Sequence, residues 1–133
     1  MIRFREKPIG FVSDVESMFN NLRVPEEQRD LVIFYWYKDN DPSKGIVPYR
    51  SCSHIFGCTS SPAVASYGLK YCAAIAQDED NETAKRYINT SFYVDDGIYS
   101  ANTIEEAVDI LSRATTIIKN CNMRLHKFIC NKK

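Results

Sequence analysis

At 133 residues the chain has room for one domain around a single core, and its 44% hydrophobic and 26% charged residues are those of an ordinary globular protein. Lys plus Arg equal Asp plus Glu at 17 each, which argues against a protein that grips nucleic acid through its phosphates unaided. Five cysteines, an odd number with no C-x-x-C pair, exclude a disulfide framework and a zinc knuckle; they read as small apolar groups in a reducing compartment.

In chain order, "PIGFVSD" (8–14) reads as a short buried strand that ends on Asp14. "VESMFNNL" (15–22) has helical spacing, with Val15, Met18, Phe19 and Leu22 on one stripe. "PEEQRD" (25–30) suits a helix start or turn, with Pro25 first and acidic residues behind it. "LVIFYWYK" (31–38) and "IVPYRSCSHIF" (46–56) flank the turn formers "DNDPSKG" and predict a β-hairpin with a longer loop. "TSSPAVASYGLKYCAAIAQ" (59–77) predicts a helix capped by Ser60 or Ser61, with Pro62 near its first turn. A short helix over 82–89 precedes "SFYVDDGIYSA", read as a hairpin with Asp95, Asp96 and Gly97 at its tip. "TIEEAVDILSRATTIIKNC" (103–121) is the clearest helix. Thr103 and Glu106 form a capping box, and Ile104, Ala107, Val108, Leu111, Ala114, Ile118 and Cys121 are its expected apolar stripe. "MRLHKFIC" (123–130) alternates as a final strand. This order predicts an α+β sandwich with helices on one face of an antiparallel sheet. His54 and His126 stand apart and read as structural rather than ligating. No signal peptide and no bilayer-length apolar run are read, so the chain is expected inside the cell.

The chemistry lies in the carboxylates. Strands disfavour Asp, yet Asp14 ends one strand and Asp95–Asp96 interrupt another. Nine Asp residues make one adjacent pair unremarkable by chance; an Asp-ending strand, a small-residue helix and a hairpin Asp-Asp in that order carry more. If the two strands are neighbours, all three carboxylates gather at one sheet edge. Two Mg²⁺ ions about 3.5 to 4 Å apart catalyse phosphoryl transfer in polymerases and nucleases, held by a few hard oxygen ligands and by substrate phosphates.

"FVSDVESMF", "FGCTSSP" and "FYVDD" resemble motifs A, B and C of reverse transcriptases, in order and at compatible spacing. The surrounding "RFREKPIGFVSDVESMF", "YWYKDNDPSKGIVPYR" and "IFGCTSSP" are most similar to the Pao/BEL group of LTR retrotransposons, and the likeness covers nearly the whole chain. It implies a polymerase palm, a ferredoxin/RRM-like antiparallel sheet with helices on one face, plus part of the fingers, with residues of about 25–55 as a fingers-side hairpin. It implies metal ligation by Asp14, the Val15 carbonyl, Asp95 and Asp96, with Mg²⁺ as a pair of ions and Mn²⁺ as the alternative. Phe19 matches the aromatic gate against a ribose 2′-OH, and a core role for its ring is compatible with that. Gly57, Ser61 and Pro62 match motif B beside the incoming nucleotide, and Phe56 stands where retroviral enzymes carry a Gln. Tyr93 and Val94 complete the Tyr-x-Asp-Asp box, and Lys127 falls where motif D places a lysine.

The implied activity is RNA-directed DNA polymerisation, with dNTP and an RNA or DNA template-primer as substrates. The implied partners are the remaining polyprotein segments (fingers, thumb, RNase H), in the cytoplasm, a virus-like particle or the nucleus, with no membrane. The chain reads as truncated at both ends and, alone, as inactive. The competing readings are a non-catalytic folded remnant that at most binds nucleic acid, and a nucleotide cyclase; cyclases carry a Gly-Gly-acidic hairpin, which is missing here.

Overall fold

The structure, a computed structural model, describes residues 2–77 and 82–132. The chain divides into two compact units. One runs to Met18 and resumes at Pro62; the other is Phe19–Ser61.

The first unit is built on a four-stranded antiparallel sheet. Its strands are β1 (Ile9–Val15), β4 (Phe92–Tyr93), β5 (Asp96–Ala101) and β6 (Leu125–Cys130), in the order β4-β5-β1-β6. Helices α1 (Ser61–Ile75), α2 (Glu82–Thr90) and α3 (Ile104–Lys119) accompany it. Alternation along β1 sends Phe11, Ser13 and Val15 to one face, where all three are buried. There the Ser13 hydroxyl and the Tyr87 hydroxyl of α2 lie 2.7 Å apart. The Tyr87 ring centroid lies 5.6 Å from that of Phe11 and 5.5 Å from that of Tyr99. The opposite face carries Val12, Asp14 and their cross-strand partners Ile98 and Asp96.

The N-terminus of α3 forms as its sequence requires. The Thr103 hydroxyl accepts from the Glu106 backbone N–H, and Glu106 reaches back to accept from Asn102 N–H at 2.8 Å. Its buried stripe is Ala107, Ile110, Ala114, Ile117 and Ile118, whereas Ile104 and Val108 of the expected stripe are exposed. The helix is therefore rotated from the expected face, because two overlapping apolar rows satisfy helical spacing and only packing chooses between them.

The second unit holds the hairpin of β2 (Ile33–Tyr37) and β3 (Ile46–Arg50), paired from Ile33↔Arg50 to Tyr37↔Ile46. The extended run predicted to reach residue 56 ends at Arg50. The helix expected over 15–22 is also absent. Val15 closes β1, Ser17 takes a left-handed φ of 49°, and a single 3-10 turn, Met18–Asn21, follows. Helical spacing there reflects burial of Met18 and Phe19, not an α-helix. Among the described residues no helix is long and apolar enough to cross a membrane.

Candidate carboxylate site at one end of the main sheet

Asp14 lies next to last in β1, directly opposite Asp96 of β5 on one side and His126 of β6 on the other. Directly opposed residues present their side chains on the same face, with Cβ atoms about 4.5–5.5 Å apart. Across three neighbouring strands the sheet therefore carries the row Asp96, Asp14, His126. Asp95 joins this end through the backbone, since its carbonyl accepts from Val15 N–H at 2.9 Å. On the other side Glu16 N–H donates to the Arg124 carbonyl at 2.9 Å, so the end of β1 is clamped from both neighbours.

The turn that displays Asp95 is one residue earlier than expected. Tyr93 pairs with Asp96, which leaves Val94 and Asp95 as the two-residue loop, and Val94 adopts a φ of 57°. A positive φ at the first loop position normally calls for Gly, and a β-branched residue there is strained. Gly97, read as part of the turn, is buried inside β5 beneath α2. A Cβ at this position would lie 2.3 Å from the Tyr87 hydroxyl oxygen and 2.6 Å from the Phe92 ring. Its small size, not its conformational freedom, is what the fold requires.

Both oxygens of Asp14 are engaged. His126 Nε2 lies 2.5 Å from Oδ1, and Lys127 Nζ donates to Oδ2 at 3.1 Å. Burial pushes the Asp14 carboxyl up, but these hydrogen bonds and the two nearby positive charges outweigh it, so the carboxyl ends below its ordinary value. His126, read as merely structural from sequence, is thus a central member of the row. Only the fold reveals it, because its partner is 112 positions away.

A β-bulge makes this double contact. Val12 pairs with Ile129 and Asp14 with His126, so one residue of β1 faces two of β6, and Lys127 sits at the extra position with a φ of 52°.

The remaining candidates fall into two groups. Tyr93 and Val94 flank the carboxylates, Tyr93 being 81% exposed. Pro62 lies in the first turn of α1. Phe56, Gly57, Ser61 and Phe19 belong to the second unit. In that unit the Phe19 and Phe56 rings meet edge to face at 4.7 Å. Gly57 has a φ of 91°, a backbone conformation that suits glycine. The buried Ser61 hydroxyl donates to the Ile55 carbonyl at 2.9 Å and lies 3.3 Å from His54 Nδ1, so it ties its own loop.

The donors Asp14, Asp95 and Asp96 have the chemistry of a hard divalent cation site: carboxylate oxygens on a strand end and a tight turn. As arranged, Asp14 is turned to His126 and Lys127, and among the described residues no cluster of three or more His, Cys, Asp and Glu side chains is poised to hold a metal ion. No protein-family model and no curated protein matches the chain.

Proposed function

We propose that the chain is the palm region of an RNA-directed DNA polymerase of the Pao/BEL retrotransposon type, which adds dNTP to a primer 3′ end on an RNA or DNA template. The observation that carries this reading is the direct opposition of Asp14 and Asp96 across β1 and β5, with Asp95 in the turn bonded to Val15. Strand connection supports it as well. With α1 and α2 taken as one crossover and the hairpin β2–β3 set aside, the four sheet strands run β-α-β-β-α-β in sequence, the split βαβ pattern of ferredoxin-like palms.

On this reading Asp14, Asp95 and Asp96 hold Mg²⁺, or Mn²⁺ in its place, with the Val15 carbonyl beside them. The ions, when bound, supply charge neutralisation at the attacking and leaving oxygens. The chain's own residues position: β1 and the Val94–Asp95 turn fix the carboxylates, and Phe19 excludes a 2′-OH, its ring braced by Phe56. Phe56 takes the place of a polar nucleotide contact, so that contact passes to other groups. Lys127 stands at the carboxylate end with an exposed amine that donates to Asp14 Oδ2.

A chimaera that carries residues 1–133 between the fingers and thumb of a known reverse transcriptase is the test. It should extend a primer with dNTP in Mg²⁺, and Asp95→Asn should abolish extension, since positioning and electrostatics are nearly all of phosphoryl-transfer catalysis. A folded chimaera without Asp95-dependent extension would favour the second reading, a non-catalytic remnant. The engagement of both Asp14 oxygens by His126 and Lys127 is the observation on that side.

A further inference from the structure

Resting on that reading of the carboxylates, we propose that the bulge in β6 builds a cation latch on Asp14: His126 positions the carboxylate, and Lys127 holds the place of a divalent cation until the cation displaces it.

Consecutive residues of a regular strand point to opposite faces. His126 and Lys127 are consecutive, yet both reach one carboxylate, at 2.5 and 3.1 Å. The extra residue at Lys127, turned to a φ of 52°, brings this about. A left-handed backbone is unfavourable for a lysine, and here it aims a second donor at Asp14.

The two contacts are not equivalent. The His126 and Asp14 side chains are 23% and 21% exposed, so their bond is sheltered; Lys127 is 65% exposed. An exposed lysine pair contributes little and gives up rotamer freedom to form. Oδ2 is therefore the oxygen that a cation can claim, while His126 keeps Oδ1 in place. In the closed state the latch also offsets the repulsion between Asp14 and Asp96, which oppose each other directly.

Mn²⁺ titration of the 133-residue chain, followed by electron paramagnetic resonance, tests this. Lys127→Met should bind Mn²⁺ roughly three- to five-fold more tightly than the parent, the factor set by one exposed ion pair. Lys70→Met removes the same charge from the exposed side of α1 and should change nothing, and Asp14→Asn should abolish the site in every background. The ¹³C resonance of the Asp14 carboxyl reports the pairing without metal; it should move in Lys127→Met and in His126→Leu but not in Lys70→Met. Equal, Asp14-dependent Mn²⁺ affinity in the parent and Lys127→Met would overturn the latch and leave the metal site standing. Absence of Mn²⁺ binding in both would overturn the latch and the metal reading together. An Asp14 resonance indifferent to Lys127→Met would overturn the latch at its first step.

Discussion

Gly97 and Tyr87 form the tightest side-chain constraint behind the carboxylates. Gly97→Ala places a methyl within 2.3 Å of the Tyr87 oxygen, and forced overpacking of this kind costs about 3 kcal/mol. Tyr87→Phe removes the bond to Ser13 and should cost about 1 kcal/mol. The tyrosine hydroxyl is the nearer of two obstructing groups, the other being the Phe92 ring, so the double variant should be less destabilised than the sum of the two, by about 1 kcal/mol, in urea unfolding, while the Phe92 share of the clash remains. Strict additivity would mean that the clash lies elsewhere. The same hydroxyl predicts a pH effect. Burial pushes the Tyr87 phenol up to about 12 from 10.0, while the Ser13 bond opposes that rise. The phenol then stays protonated in the folded chain while the unfolded chain ionises, so stability present below pH 10 is lost as pH rises from about 10 to 12. The slope contributed is at most about 1.4 kcal/mol per pH unit, and Tyr87→Phe should remove it. At this scale the sequence was partly legible. Asp14, Asp95 and Asp96 are conspicuous because carboxylates in β-rich runs need a reason. Gly97 was conspicuous for the wrong reason, since Asp-Gly signals a turn but cannot show what lies above the glycine.

At the scale of elements, α3 separates what spacing can and cannot decide. Ala107, Ala114 and Ile118 of the expected stripe are buried, but Ile110 and Ile117 join them while Ile104 and Val108 face out. Ile117→Ala should therefore destabilise the chain by about 2–5 kcal/mol, and Val108→Ala, at an exposed position, by less than about 0.5 kcal/mol. The reverse order in thermal unfolding would restore the other face. The strands of the main sheet were legible from alternation and turn residues. The bulge at Lys127 was not, because "MRLHKFIC" alternates acceptably and a bulge is a matter of pairing with β1. The segment 18–21 shows the complementary failure: Met18 and Phe19 are buried as a helical stripe would be, but Ser17 turns the chain first.

Across the whole molecule, the polymerase reading joins two levels of observation: three ordered motifs in the sequence, and a sheet that sets Asp14 against Asp96 with Asp95 in the adjoining turn. The loop of Phe56–Ser61 and the aromatic hairpin belong to a unit with its own pairing, Phe34 stacking on Tyr49 at 5.8 Å. The carboxylates lie entirely in the other unit, which is why their test does not depend on the hairpin. The central claim is that Asp14, Asp95 and Asp96 together bind a divalent cation. The most direct measurement is the loss of backbone amide signals in the ¹H–¹⁵N spectrum of this chain as Mn²⁺ and dNTP are added. Broadening should begin at Asp14, Val15 and Asp95–Gly97, spread to His126 and Lys127, and disappear in Asp14→Asn. Broadening that begins instead at the acidic first turn of α3, Glu105 and Glu106, and survives Asp14→Asn, would contradict it.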